Sequence, residues 1–132
     1  MVIRSFKFTL LIFVLFINMA LAGDTISGKV VSIADGDTVT VLDSNKTQHK
    51  IRLYGVDCPE SHQDYGNRAK KFTSDMVFAK QVSVKIMDTD RYDRSVGLVN
   101  VGSISLNEEL LKSGYAWHYS QYCKASFCKR SH

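Results

Sequence analysis

A mainly β fold with helices, laid out as a five-stranded OB-type barrel, is what this chain of 132 residues predicts. The first ground is a set of five short segments in which apolar and polar residues alternate. The second is the run of polar or Asp-Gly turns that separates them. The third is a helical stretch after the third strand, which matches the plan of a five-stranded, partly open barrel.

Taken in order, Thr25 to Ile33 makes the first strand, with Ile26, Val30, Val31 and Ile33 apolar. Ala34-Asp35-Gly36-Asp37 turns the chain, since Asp-Gly between apolar runs is a strong hairpin signal. Thr38 to Leu42 is a second strand rich in β-branched residues. The polar turn Asp43-Ser44-Asn45-Lys46 leads to a third strand, His49 to Val56. A polar loop, Ser61 to Asn67, precedes a helix from Arg68 to Lys80, with Ala69, Phe72, Met76 and Ala79 on one face. Val82, Val84 and Ile86 mark the fourth strand, Asp88 to Asp93 a charged turn, and Val96 to Val101 the fifth strand, paired back as a hairpin. Ser105-Leu106-Asn107-Glu108 fits a capping box that starts a short helix through Lys112, with Gly114 placed to stop it. An aromatic stretch from Tyr115 to Tyr122 and a basic, cysteine-bearing tail follow.

The start of the chain has the anatomy of a secretory signal peptide. Arg4 and Lys7 precede an apolar run from Phe8 to Met19, and Ala20-Leu21-Ala22 is a small-x-small cleavage site. The run is short for a membrane span of roughly 20 residues. The expectation is therefore a cleaved leader, residues 1–22, and one domain, residues 23–132, secreted or periplasmic and without lasting membrane attachment. Cleavage removes two of the 17 basic residues, so the net charge falls from +4 to +2 against 13 acidic ones. That balance permits a nucleic-acid partner without demanding one. Of three cysteines, Cys123 and Cys128 are spaced to form a local disulfide in an oxidising compartment, and Cys58 is the odd one.

The chemistry lies in Ile51-Arg52-Leu53-Tyr54-Gly55-Val56-Asp57-Cys58-Pro59-Glu60. Arg52 interrupts an apolar strand, where a charge is costly unless it is paired or faces an opening. Pro59 has no amide proton to give a sheet, so the strand ends near Asp57 with two acids, Asp57 and Glu60, at the break. In a meander the start of strand two and the end of strand three lie side by side, which lets Asp37 and Asp57 converge. Two carboxylates, backbone carbonyls and water suit a hard cation such as calcium or magnesium. Asp35 and Asp37 also suit plain turn chemistry, and the second acidic cluster at the neighbouring strand end is what favours a metal. If Arg52 and Arg94 both face that metal, they clamp a phosphate and stabilise the added charge of five-coordinate phosphorus. Glu60 is then the natural general base for an attacking water.

These residues resemble the staphylococcal-nuclease-like (thermonuclease) family. The resemblance rests on Ile33-Ala34-Asp35-Gly36-Asp37-Thr38-Val39, on Ile51 to Glu60, on Asp90-Arg91-Tyr92-Asp93-Arg94-Ser95-Val96-Gly97, and on Leu106 to Ala116, in that order and spacing. It implies an OB-fold barrel and calcium-dependent cleavage of DNA and RNA phosphodiesters, with one Ca2+ per site. Asp37 and Asp57 match the family's metal-binding carboxylates, and Cys58 a position whose backbone carbonyl meets the metal. Glu60 matches the proposed general base, Arg52 and Arg94 the phosphate-binding arginines, and Tyr92 an aromatic residue near the nucleotide. The likeness departs at Asp93, where many relatives have glycine, and at Trp117-His118-Tyr119, onto which no nucleotide contact is carried. It also implies a further C-terminal helix that is truncated here, at a cost to a domain normally stable by only about 5–15 kcal/mol.

Two other readings compete with a monomeric nuclease acting on DNA or RNA. One is a non-catalytic binding module that uses Lys70, Lys71, Lys80, Lys85, Tyr54 and Tyr92 to hold a single strand. Such a module has no use for Asp37, Asp57 and Glu60 together, because acids repel phosphate in the absence of a metal. The other is a small zinc site of His118, Cys123, Cys128 and His132, against which a local disulfide is the simpler reading. His49 and His62 show no partner in the sequence and read as surface residues.

Overall fold

The computed structural model describes residues 24–118. Its elements are β1 (Thr25–Asp35), β2 (Thr38–Asp43), β3 (Gln48–Leu53), β4 (Val56–Asp57), α1 (Gly66–Val77), β5 (Gln81–Thr89), β6 (Ser95–Val101), β7 (Ile104–Ser105), α2 (Leu106–Ser113) and β8 (Trp117–His118). The expected leader, the Cys123–Cys128 disulfide, the alternative zinc site and the C-terminal truncation all fall on residues outside those described.

The strands run in the order β3-β2-β1-β5-β6-β7, and a parallel pairing of β3 with β6 closes the sheet on itself. This is the five-stranded OB-type barrel that the sequence predicts. Strand β1 can serve two neighbours because it is long: Thr25 to Lys29 pairs with β5, and Gly28 to Asp35 pairs with β2. Register shifts between Val30 and Ser32 and between Ile33 and Asp35 mark where it bends, as bulges do at barrel corners. The core inside is β-branched and aliphatic, with Val30, Val39, Val41, Ile51, Val84 and Val99 fully buried. Alternation along β1 and β5 puts Val30, Val82 and Val84 inward and Lys29, Gln81, Ser83 and Lys85 outward.

Two details differ from expectation. The third strand breaks at Tyr54-Gly55, where Gly55 takes φ 72°, so Val56–Asp57 forms a separate short strand. The helix ends at Val77 instead of Lys80. Ala79 adopts φ 61°, and its N–H bonds to the Val30 carbonyl while Lys80 accepts from the Val30 N–H. The chain thus leaves the helix to extend the edge of β1. The buried face of α1 is Gly66, Ala69, Thr73 and Val77. Phe72 and Met76 are only partly buried beside the core, and Ala79 lies outside the helix.

Helix α2 begins as its capping box predicts, with the Ser105 hydroxyl accepting from the Glu108 N–H at 3.2 Å, and Gly114 closes it at φ 79°. Asn107 inside it is fully buried. Its side chain accepts from the Val99 N–H at 3.0 Å and donates to the carbonyls of Tyr54 (2.9 Å) and Gly97 (3.2 Å). It therefore ties α2 to β6 and to the turn between β3 and β4.

Candidate active site

The site forms where the start of β2 meets the end of β3. Thr38 pairs with Arg52 across that ladder, which places Asp37 next to Arg52. The Asp37 backbone carbonyl also accepts from the Leu53 N–H at 2.8 Å. The turn carrying Asp37 is pressed against α1: the buried Thr73 hydroxyl donates to the Gly36 carbonyl at 2.6 Å. A Cβ on Gly36 would sit 2.9 Å from the Ala69 Cβ and 3.0 Å from the Cys58 Sγ. Glycine at this position lets the turn, the helix and the Cys58 segment meet.

Arg52 lies between the two acids. Its Nη1 is 3.5 Å from Asp37 Oδ2, and its Nη2 is 3.1 Å from Asp57 Oδ1. Nη1 also donates to the carbonyls of Leu53 (3.1 Å) and Val56 (2.8 Å). The guanidinium has five N–H donors. The hydrogen bonds to Leu53, Val56 and Asp57 use three of them. Among the described residues, the donors that remain are on Nε and Nη2, and together they can meet an anion in two-point fashion.

Asp37 is only 6% exposed. Its Oδ2 accepts from the Cys58 N–H at 2.8 Å, and its Oδ1 from the Thr38 hydroxyl at 3.1 Å. Burial pushes its pKa up, and Asp57 adds to the rise, against the opposing pull of Arg52 and the two hydrogen bonds. Burial likewise raises the Cys58 thiol to about 12, with Asp37 the next cause. Cys58 is thus a buried, neutral packing residue whose backbone N–H meets Asp37.

Glu60 stands apart from this cluster. Its side chain is 64% exposed and 3.3 Å from His62 Nε2. The backbone around it is held on three sides. The Glu60 N–H donates to the Gln63 side chain at 2.9 Å, and the Glu60 carbonyl accepts from the Gln63 N–H at 2.8 Å. Next to it, the Ser61 N–H and hydroxyl donate to Asp35 Oδ1 at 2.9 and 2.7 Å. Burial works against ionisation of Asp35, but the two Ser61 donors, with Lys70 and His62 nearby, outweigh it and lower its pKa. Asp35 therefore belongs to the loop that presents Glu60.

Arg94 enters from the hairpin between β5 and β6. Val96 pairs with Arg52 in the parallel ladder, and Arg94 lies just before β6, at the end of the turn that leads into that ladder. Its Nε donates to Asp90 Oδ2 at 2.6 Å, and its guanidinium lies 5.5 Å from the Tyr92 ring centre. Burial disfavours the Asp90 charge, but the Arg94 and Tyr92 donors prevail and lower its pKa. Tyr92 is largely exposed and is also stacked by Arg91 at 5.0 Å. Asp93, where the resemblance departs, has φ 63°. That left-handed conformation suits glycine best, and aspartate is one of the few other residues that tolerate it.

The structure thus brings Asp37, Arg52, Asp57 and the Cys58 backbone into one bonded cluster, with Glu60 on the adjoining loop and Arg94 held by Asp90. Sequence reasoning missed the partners that set these positions: Asp35 with Ser61, Thr73 with Gly36, Asp90 with Arg94, and Asn107. It also missed the partners of two histidines, since His49 Nε2 is 2.7 Å from Asp43 Oδ2 and His62 meets Glu60. Among the described residues, no group of three or more His, Cys, Asp or Glu side chains is arranged to grip an ion alone. The donor set still fits a hard cation. Two converging carboxylates, one of them buried with a raised pKa, leave negative charge that a cation would offset, and calcium or magnesium fills its remaining positions with carbonyls and water.

Residues 50–131 match the family described as staphylococcal nuclease homologue. The matched segment contains Arg52, Asp57, Cys58, Glu60, Tyr92 and Arg94, and Asp37 lies upstream of it. An uncharacterized endonuclease of Haemophilus influenzae is 35% identical over 122 residues, covering 92% of this chain and 68% of that protein. An uncharacterized endonuclease of Escherichia coli O157:H7 is 40% identical over 98 residues, 74% of this chain and 63% of its own length. A micrococcal nuclease of Shigella flexneri is 36% identical over 106 residues, 74% of this chain and 60% of its own length. The chain thus spans about two thirds of the length of these relatives.

Proposed function

Because the chain belongs to the staphylococcal nuclease homologue family, we propose that it is a calcium-dependent endonuclease that hydrolyses phosphodiester bonds of DNA or RNA. The observation that carries this reading is the Arg52 guanidinium, bonded to Asp57 and beside buried Asp37, with one donor edge left for a phosphate. Asp37 and Asp57, with the Cys58 carbonyl, would hold the cation. When bound, that cation supplies positive charge for the scissile phosphate and for a nearby water.

The chain's own side chains do the rest. Arg52 and Arg94 bind and orient the phosphate and neutralise the charge that grows on its oxygens. Glu60, exposed at the end of a braced loop, takes the proton of the attacking water. The charge order supports hydrolysis over simple binding: a buried acid beside a phosphate site is unfavourable for a binder and useful to an enzyme that recruits a cation. We further propose export, with cleavage after Ala22. N-terminal sequencing of the secreted protein would then begin at Gly23.

The test mixes the purified chain with plasmid and single-stranded DNA, in millimolar calcium or in chelator, with circular dichroism on the same sample. Calcium-dependent degradation is expected. Glu60→Gln should slow it by several orders of magnitude while DNA binding stays near wild type. Near wild-type cleavage by that variant removes Glu60 from the role of base. A folded chain that binds DNA and never cuts it makes the domain a binding module.

A further inference from the structure

Arg52 shares its side of the barrel with a second cation. Side chains alternate along β3, with Ile51 and Leu53 buried and Gln48, Lys50 and Arg52 on the outer side. Lys50 thus stands two residues from Arg52, about 7 Å along the strand. The ladders carry this outer face across two more strands. Thr40 on β2 lies opposite Lys50, and Ser32 on β1 lies opposite Thr40. One row farther from the site, Gln48 pairs with Leu42, and Leu42 with Lys29. Lys50, Ser32, Gln48 and Lys29 are exposed, and neither row carries an acid. The acids that border the face are engaged: Asp57 with Arg52, Asp35 with Ser61, and Asp43 with His49 at the end of the hairpin. Among the described residues neither Lys29 nor Lys50 forms an ion pair, whereas Lys71 and Lys112 are held by Asp75 and Glu109.

Resting on the nuclease reading, we propose that the outer face of β1, β2 and β3 is a backbone track for the nucleic-acid chain, on which Lys50 and then Lys29 take the phosphates beyond the one held by Arg52. Two unpaired cations on a neutral face, in line with a guanidinium that has donors left, complement an anion that repeats. An ammonium on a flexible stem suits this task. It meets a phosphate as a point charge and does not demand the two-point geometry of Arg52. Thr40, Ser32 and Gln48 lie between the cations and add neutral hydrogen-bonding groups. Phosphate contacts position a strand and carry no sequence information, so the track aligns the chain with the site without choosing its bases. Neither lysine belongs to the set that the sequence alone suggested for a single strand, because only the strand register shows that they share the face of Arg52.

The test is the salt dependence of binding. Anisotropy of a labelled single-stranded oligonucleotide is followed with the whole chain, in chelator, over a series of salt concentrations. Each phosphate neutralised on a single strand adds about 0.7 to the slope of log affinity against log salt. Lys50→Ala and Lys29→Ala should each lower that slope by about 0.7, so that over a fourfold rise in salt each loses about 2.6-fold less affinity than wild type. Lys50→Arg keeps the charge and should keep the slope. Lys112→Ala removes one charge from α2, away from the track, and should leave the slope as it is. A wild-type slope in Lys50→Ala overturns the track, and so does a Lys112→Ala slope that falls as far as that of Lys50→Ala. Cleavage in calcium is read separately. Cleavage with unchanged slopes removes the track alone, and lowered slopes without cleavage remove the hydrolase reading alone.

Discussion

Gly66 is the first residue of α1, and a methyl group there would fall 1.8 Å from the Glu60 carbonyl oxygen, 2.6 Å from its carbon and 3.0 Å from the Ser61 Cα. Ordinary contact begins at 3.4 Å, so Gly66→Ala must part the helix from the Glu60 loop by about 1.6 Å, the difference between 3.4 and 1.8. The neighbours are backbone atoms and cannot swing aside. The helix is pinned by Ala69 and Thr73 in the core, whereas the Glu60 side of the contact is a loop with an exposed side chain, so the loop moves. If Glu60 is the general base proposed above, a displacement of about 1 Å at it can cost on the order of 100-fold in rate. The expected outcome is a kcat reduced at least about 100-fold, a KM for DNA changed less than about threefold, and a stability loss of about 1–3 kcal/mol. Gly102→Ala serves as the comparison. Nothing lies within 4 Å of its new methyl, but its φ of 59° penalises any side chain, at a cost of about 1–2 kcal/mol. It should lose similar stability and keep wild-type kcat. Steady-state kinetics beside urea denaturation measures both variants. A folded Gly66→Ala enzyme with wild-type kcat would refute the idea that this contact places Glu60.

Three further outcomes follow from the same geometry. Asn107→Asp puts a carboxylate against the carbonyls of Tyr54 and Gly97 and should cost roughly 3–5 kcal/mol in denaturant titrations at neutral pH, with the loss shrinking as acid protonates the new group. Asp93→Gly relieves a left-handed residue, so thermal unfolding should move up by an amount equivalent to about 0.5–1 kcal/mol, and a lower midpoint would contradict the strain argument. The raised pKa of Asp37 means that its protonated form favours the folded state. The stability due to that proton is fully present below the unfolded pKa and is lost as pH rises through the folded one. If calcium binds as proposed, it takes the proton's place at neutral pH, and calorimetry should then show a calcium-induced gain of about 2.7 kcal/mol at 100 times the dissociation constant, absent in Asp37→Asn.

The barrel was legible because its signals are local. Alternation in Val39, Val41, Ile51 and Val84, the Asp-Gly turn and the Ser105 cap each act within a few residues. The failures share a different cause. Ala79 leaves the helix for a hydrogen bond to Val30, far away in sequence, and no glycine or proline announces it. The break at Gly55 is hidden because the residues around it look like one apolar strand. For the candidate site, the meeting of Asp37 and Asp57 about Arg52 could be read from residue type and from meander geometry. Their braces could not: Thr73 looks like a polar surface residue until the Gly36 carbonyl is brought to it, and Asn107 looks like part of a capping box until three backbone groups converge on it. Asp93 is the instructive middle case. Its identity read only as a departure from the family pattern, and its backbone angle gives the position a conformational explanation.

The parallel pairing of β3 with β6 joins Ile51 to Ser95, and the pairing of β1 with β5 joins Thr25 to Lys85, farther apart still in sequence, whereas the other ladders of the barrel join hairpin neighbours. Closing loops of that length costs entropy before any contact rewards it, so these two ladders form late. Arg52 lies on the parallel ladder, opposite Val96, and Arg94 directly precedes its first paired residue on β6, Ser95. A half-folded chain can thus hold the Asp37 turn and still lack the proposed phosphate site, because the strands that bring its two arginines have not paired. On the nuclease reading, hydrolytic competence would arrive only with the long-range seams of the barrel, and a chain that has not completed them would be harmless to the nucleic acid around it.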